Sequence, residues 1–178
     1  MKLMSSPLSL VLSAITLAIA QPLAAQEEAL PQAEEETLGM NHIGFAVSDL
    51  EASAAFFVET LGWQNFGGDP EYPAIFVGNA EMFVTLWQTA DSENSVAFDR
   101  KNNVGLHHMA ITVRDLETLH KLHAKFEAHP HVTIEFAPEF MGEGPTTHMM
   151  IREPSGLRLE FIVPRSRMPK PAAKPDAE

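Results

Sequence analysis

Apolar and polar residues alternate in two similar segments, 40–51 (MNHIGFAVSDLE) and 106–117 (LHHMAITVRDLE). A shift of 66 positions aligns His42 with His108, and it aligns the DLE of the first segment with the DLE of the second. Successive side chains of a strand point to opposite faces, so each segment predicts a half-buried strand. One face of each strand is apolar, and the other is small and polar and begins with a histidine.

A helix is predicted after each of these strands. Ser48 and Glu51 have the spacing of a capping box, and Gly62 is expected to end the first helix. Asp115 is the candidate N-cap of the second helix, which Pro130 closes. Apolar residues recur at helical spacing in both. They are Leu50, Ala54, Phe57, Val58 and Leu61 in the first helix, and Leu116, Leu119, Leu122 and Phe126 in the second.

Short strand-like segments follow each helix, and tight turns (GNAE and EPSG) join the last two of each set. The segments are 63–67, 74–77, 82–88, 132–136, 148–152 and 157–163. The chain therefore predicts an α+β fold of two βαβββ modules. Module one spans 39–88, a polar linker spans 89–105, and module two spans 106–163.

The two ends of the chain differ in composition from these modules. An apolar run, 8–20, follows Lys2 and is shorter than the roughly 20 residues that span a bilayer. Small residues follow it, so we expect 1–25 to be a secretory signal peptide; the alternative is a buried or frayed N-terminal helix. Residues 26–38 predict an acidic leader, and the proline-rich 164–178 predicts a disordered tail. If the chain is exported, we expect a periplasmic protein that no longer contacts the membrane once the signal peptide is cleaved.

The charge and cysteine content exclude several classes of function. Twelve Lys and Arg against 24 Asp and Glu give a net charge of −12, which argues against binding to nucleic acid or to an anionic membrane. The chain has no cysteine, so disulfides, thiolate metal sites and cysteine nucleophiles are excluded. A metal would have to be held by carboxylates and by some of the eight histidines.

Strand phase predicts that three metal-binding side chains share one side of the fold. Glu160 lies between a leucine and a phenylalanine of the last strand, on the face away from the helix, where an unpaired carboxylate is costly. His42, His108 and Glu160 make a two-histidine, one-carboxylate set that suits Fe(II), with Mn(II), Ni(II) and Zn(II) left open. His107 has the opposite phase and is expected not to bind metal unless the register slips by one residue.

The paired segments HxGFxVxDLE and HxAxxVxDLE, the EPSG turn and the final strand LRLEFI resemble the vicinal oxygen chelate superfamily. This superfamily includes glyoxalase I, extradiol dioxygenases, fosfomycin-resistance proteins and bleomycin-binding proteins. The resemblance covers 39–163 and implies two modules that form an open, cup-shaped mixed sheet, with metal ligands at His42, His108 and Glu160. Thr85 stands where glyoxalase I typically has a fourth, acidic ligand. The pattern is therefore more similar to that of the dioxygenases and fosfomycin-resistance proteins.

The resemblance also implies a small substrate that chelates a divalent metal, Fe(II) foremost, through two neighbouring oxygens. It implies an acid–base histidine near the substrate, and strand phase makes His148 the candidate. The same phase predicts substrate contacts by Phe83, Thr85, Trp87, Met150 and Arg158. An extradiol-type dioxygenase is the leading hypothesis. A glyoxalase-like lyase or metal-dependent transferase, and a binding protein that performs no chemistry, are the alternatives. A homodimer is expected, in which the site lies either within one chain or between His42 of one protomer and His108 and Glu160 of its partner.

Overall fold

Two βαβββ modules follow one another along residues 36–168, the part of the chain that the structure, a computed structural model, describes. The elements of the first are β1 (Ile43–Val47), α1 (Leu50–Ala55), a π-helical extension (Phe56–Thr60), β2 (Gln64–Asp69), β3 (Ala74–Gly78) and β4 (Phe83–Gln88). Those of the second are β5 (Met109–Thr112), α2 (Leu116–Glu127), β6 (Thr133–Phe140), β7 (Thr147–Arg152) and β8 (Arg158–Val163). This confirms the predicted α+β fold class and its modules.

Each module folds its four strands into a mixed sheet of the same topology. The strand orders are β1-β4-β3-β2 and β5-β8-β7-β6, and the first strand of each module runs parallel to its last. The other strand pairs are antiparallel. Within the described residues the two sheets share no strand pair, so β1 and β5 each have one bonded edge and one free edge.

The first helix starts differently from the prediction. Asp49 is its N-cap, and Oδ1 of this residue accepts a hydrogen bond from the Ala52 N–H at 2.9 Å. The predicted capping box of Ser48 and Glu51 is therefore wrong. The Asp49 carboxylate, one residue after Ser48, caps the helix by accepting from the Ala52 N–H. The Ser48 carbonyl accepts a hydrogen bond from the Gln88 side chain instead.

The other predicted helix ends are confirmed. Asp115 caps α2 by accepting from the Thr118 N–H at 2.8 Å. Gly62 follows the π-helical extension with a φ of +75°, a conformation that favours glycine and ends the helix. The second helix ends at Glu127, before Pro130.

The apolar faces of both sheets and the two helices share one core. In β1, Phe45 and Val47 are buried, whereas Gly44 and Ala46 on the other face are exposed. The alternation recurs in β5. The helices meet where the Phe56 and Phe126 rings lie 5.8 Å apart. Burying such a ring contributes roughly 2 kcal/mol, so this contact helps to fix the modules against each other.

A buried carboxylate also joins the two modules. Glu153, in the β7–β8 turn, is 1% exposed and accepts from the Ser53 hydroxyl of α1 at 2.6 Å. Its other oxygen accepts from the Ser155 and Leu157 N–H groups, both at 2.9 Å. The Ser155 hydroxyl in turn accepts from the Asp49 N–H at 3.0 Å. Burial raises the pKa of Glu153 above its usual value.

The predicted terminal segments lie almost wholly outside the described residues, which exclude 1–35 and 169–178. The signal peptide and most of the acidic leader therefore stay predictions. The prediction of disorder is wrong for residues 165–168, because Arg165–Arg167 form a 3₁₀ turn and Met168 packs against the core; the rest of the predicted tail lies outside the described residues. No helix in residues 36–168 has the length and apolar character needed to cross a bilayer.

Candidate metal and substrate site

Three of the predicted site residues meet on the open face of the second sheet. Glu160 lies in β8, where it pairs with Ala110 of β5 and Met150 of β7 and is 6% exposed. Its Oε2 lies 3.1 Å from His108 Nε2, and its Oε1 lies 2.5 Å from His148 Nδ1. Both carboxylate oxygens thus have an imidazole partner, which offsets the cost of burying the charge.

His148 is held in one orientation by its neighbours. Its ring packs on Phe136 at a centroid distance of 4.9 Å, and Nδ1 contacts Glu160. Within the described chain, no hydrogen bond reaches the other ring nitrogen, Nε2. When Nδ1 donates its proton to Glu160, Nε2 presents a lone pair and can accept a proton.

His42 occupies the equivalent position in the first module but has different neighbours. It immediately precedes β1, just as His108 precedes β5. Its Nδ1 lies 2.8 Å from the Asn41 side-chain oxygen, and its ring meets the edge of Phe83. Among residues 36–168, no three His, Cys, Asp or Glu side chains are grouped so that they could hold a metal ion. The structure thus brings Glu160 to His108 but leaves His42 with first-module contacts.

The two donor atoms that do meet are of types that a divalent metal binds. His108 Nε2 and Glu160 Oε2 lie 3.1 Å apart, a hydrogen-bond distance at which two ligands of one ion can also lie. Two imidazoles and a carboxylate suit Fe(II). Within one chain the fit is incomplete, because the third predicted ligand, His42, does not join the pair.

The open face of the first sheet carries a continuous group of aromatic rings. Phe83 and Trp87, both predicted to line the site, share this face. Phe76 links them, with ring centroids 6.3 Å from Phe83 and 5.9 Å from Trp87. Phe66 extends the group beyond Phe83, and Tyr72 extends it beyond Trp87 at 5.0 Å. Phe66, Phe76 and Tyr72 were not predicted from the sequence, although the alternation in β3 could have indicated Phe76.

Thr85 is the counterpart of Glu160 in the first sheet. Thr85 pairs with Gly44 of β1, and Glu160 pairs with the equivalent Ala110 of β5. The Thr85 hydroxyl accepts from the Trp87 indole N–H at 2.9 Å. A Cβ on Gly44 would lie 3.1 Å from that hydroxyl oxygen, so a glycine leaves room for the contact. The Thr85 hydroxyl, which is hydrogen-bonded to Trp87, therefore occupies the position at which glyoxalase I typically has its fourth, acidic ligand.

Arg158, a predicted substrate contact, pairs with an acid that was not predicted from the sequence. Its Nε donates to Glu135 Oε2 at 2.7 Å, and Arg152 contacts the other oxygen at 2.8 Å. Burial alone would raise the pKa of Glu135, but the Arg158 hydrogen bond and the nearby guanidinium charges outweigh it and hold the pKa below its usual value. Register shifts on either side of Phe136 interrupt the alternation in β6, so simple strand phase could not place Glu135.

His107 connects this arginine pair to the proposed metal ligands. Its Nδ1 lies 3.4 Å from Arg158 Nη1 and 2.8 Å from His108 Nδ1. Partial desolvation, and then the positive charge of Arg158, lower the pKa of His107. Met150, another predicted substrate contact, is 4% exposed beside Glu160. The roles of Met150 and Arg158 in substrate binding stay predictions.

Comparison with known proteins matches residues 39–161 to the model of the Glyoxalase/Bleomycin resistance protein/Dioxygenase superfamily. Lactoylglutathione lyase from Agrobacterium tumefaciens has a similar fold (TM-score 0.55, 18% identity, 74% of this chain and 98% of that chain). A glyoxylase/bleomycin resistance protein/dioxygenase domain from Frankia sp. is also similar in fold (TM-score 0.59, 20% identity, 72% of this chain and 93% of that chain). A genomically encoded fosfomycin resistance protein from Listeria monocytogenes has a similar fold too (TM-score 0.57, 14% identity, 72% of this chain and 94% of that chain). At these identities the likeness shows the fold alone. No curated protein matches the sequence.

Proposed function

We propose that this chain, which belongs to the Glyoxalase/Bleomycin resistance protein/Dioxygenase superfamily, is a divalent-metal-dependent enzyme that binds a small substrate through two neighbouring oxygens. Extradiol-type ring cleavage with Fe(II) is the reaction we favour. The observation that carries the proposal is the buried Glu160, held between His108 and His148 on the open face of the second sheet.

His108 and Glu160 would hold the metal, with His42 as the third ligand. A bound divalent ion supplies a Lewis acid for an anionic substrate oxygen, and Fe(II) adds reactivity towards O₂. Thr85 offers no carboxylate at the fourth position. This favours a three-ligand enzyme over a glyoxalase-like lyase; a metal-dependent transferase stays the alternative to the dioxygenase.

His148 would move the substrate proton. Its contact with Glu160 and its packing on Phe136 fix the ring, so that Nε2 can take a proton from a substrate hydroxyl. A positioned acid–base group of this kind typically contributes about 10²–10⁴-fold to the rate.

A homodimer would complete the site. The free edges of β1 and β5 are unpaired backbone that a second copy could cover. His42 precedes one of these strands and His108 precedes the other. If β1 of one protomer met β5 of its partner, His42 would approach the His108 and Glu160 that its own module lacks.

The aromatic face of the first sheet would bind the body of the substrate. Rings around Phe83 and Trp87 favour stacking on a flat, apolar molecule, as a catechol-like substrate requires. The same rings would serve a metal-free protein that only binds a planar compound, which is the second candidate. The apolar run at 8–20 supports export and a periplasmic location for either candidate.

Oxygen uptake tests the enzyme proposal. The chain would be loaded anaerobically with Fe(II), mixed with catechol and then exposed to O₂. We expect catechol-dependent O₂ consumption that Glu160→Gln abolishes and that Glu81→Gln, in an exposed turn, leaves unchanged. Tight binding of catechol without O₂ consumption would favour the binding protein.

A further inference from the structure

A cavity of about 540 Å³ lies where the end of β1, the β7–β8 turn and the linker between the modules come together. Three arginines from different parts of the chain line it: Arg100, Arg152 and Arg158. Apolar side chains form another part of its wall: Phe45, Phe98 and Leu157. The cavity thus combines positive charge with an apolar surface, as binding pockets for small organic molecules often do.

The three arginines carry more charge than their protein partners neutralise. Glu135 pairs with both Arg152 and Arg158, and its lowered pKa keeps it ionised at neutral pH. Arg100 has no ion pair or side-chain hydrogen bond within residues 36–168. Two guanidinium groups therefore share one carboxylate, and the third has no ion-pair partner within these residues. This excess of positive charge stands out in a chain whose net charge is −12.

The linker that carries Arg100 is folded rather than extended. Asp99 Oδ1 accepts from the Lys101 N–H at 2.8 Å, and the Asp99 carbonyl accepts from the Asn103 N–H at 2.8 Å. The Phe98 ring packs directly on Gly105, where a Cβ would lie 2.6 Å from a ring carbon. These contacts fold the linker on itself, and both Arg100 and the partly exposed Phe98 line the cavity.

We propose that this cavity binds an organic anion with an apolar body. The carboxylate would lie against Arg100 and the remaining N–H donors of the two paired arginines, because a guanidinium group binds a carboxylate by two parallel hydrogen bonds. The apolar body would cover Phe45, Phe98 and Leu157. The proposal uses neither His108 nor Glu160, although Arg158 is also a predicted substrate contact of the metal site and His107 lines the cavity beside His108.

Calorimetric titration of the full chain with 2-naphthoate tests this site, with the uncharged 2-naphthamide as a probe of the same shape. We expect the acid to bind at least about tenfold more tightly than the amide, and its affinity to fall as salt is added. Arg100→Gln should weaken the acid about tenfold and leave the amide unchanged. Phe98→Ala should weaken both. Equal affinity for acid and amide would overturn the proposal.

Two controls show whether the anion binds in this cavity and without a metal. Lys101→Gln removes the same charge from the next residue, which does not line the cavity, and should bind the acid like the wild type. The titration is repeated after a chelator has removed bound metal, and the affinity should not change. Affinity that disappears with the metal would mean that the carboxylate binds the ion, and it would overturn the proposal. A chain that binds no metal but retains its affinity for naphthoate would count against the proposed enzyme only.

Discussion

The Nδ1 atom of His148 in β7 lies 2.5 Å from Oε1 of Glu160 in β8, while the other oxygen of that carboxylate lies 3.1 Å from His108 Nε2. One buried acid therefore links the proposed metal ligand to the proposed acid–base residue. In this arrangement Glu160 would hold the metal and also fix the tautomer of His148. The two functions can be separated by substituting His108 or His148, because each histidine contacts a different oxygen of the carboxylate.

Replacing His148 with glutamine should slow the reaction without loss of metal. We expect kcat to fall about 10²–10⁴-fold, because the side chain would no longer take up a proton, while the metal content stays at the wild-type level. Steady-state kinetics and metal analysis of the same preparation check this. His120→Gln, on the exposed face of α2, is the matched control. Loss of metal from the His148 variant would instead make His148 a ligand.

The pH dependence of stability should reveal Glu153. Its pKa is raised by burial, so the folded chain keeps the proton over a pH range in which the unfolded chain has lost it. The contribution of Glu153 to the free energy of unfolding is therefore complete below the ordinary pKa of about 4.5 and is lost as the pH rises through the folded pKa. Glu153→Gln should remove this slope.

Urea unfolding of the wild type and of Glu153→Gln between pH 4 and pH 8 would measure this difference. Other groups titrate alike in both proteins, so the difference between the two curves isolates Glu153. Glu81→Gln, which changes an exposed turn residue, should follow the wild type at every pH. Parallel curves for the wild type and Glu153→Gln would show that Glu153 titrates normally.

Trp87 should contribute stacking to the binding of planar molecules. Trp87→Leu removes the ring, and we expect affinity for a flat aromatic ligand such as 2,3-dihydroxybiphenyl to fall about three- to tenfold. Trp87→Phe keeps a ring but loses the indole hydrogen bond to Thr85, so it should recover most of the affinity. Equilibrium dialysis gives both values. Equal affinities for the leucine variant and the wild type would show that the aromatic face of the first sheet does not bind the ligand.

A site shared between protomers predicts complementation between two inactive variants. In a mixed dimer of His42→Ala and Glu160→Gln chains, one site would carry both substitutions and the other would carry neither. Random mixing should therefore restore metal binding to about a quarter of the wild-type level, as measured after refolding the two chains together. A mixture that stays as metal-free as its components would place all the ligands within one chain.

The fold, and the side of the sheet on which Glu160 and Thr85 lie, could be predicted because both follow from local sequence patterns. Strand phase placed Glu160 on the open face, and alignment of the GNAE turn with the EPSG turn matched Thr85 to it, as the strand register confirms. Glu135 could not be predicted, since register shifts in β6 change which side chains share a face. The link from Ser53 to Glu153 joins residues 100 positions apart, and no local pattern indicates such a pair.

Metal titration tests the central claim most directly. The chain would be stripped with a chelator, titrated anaerobically with Fe(II), and compared with Glu160→Gln and with the exposed control Glu81→Gln. We predict one Fe(II) per chain for the wild type and for the control, and at least about a hundredfold weaker binding for Glu160→Gln. A wild-type chain that binds no divalent metal, or a Glu160→Gln chain that binds Fe(II) as tightly as the wild type, would contradict the proposed metal site.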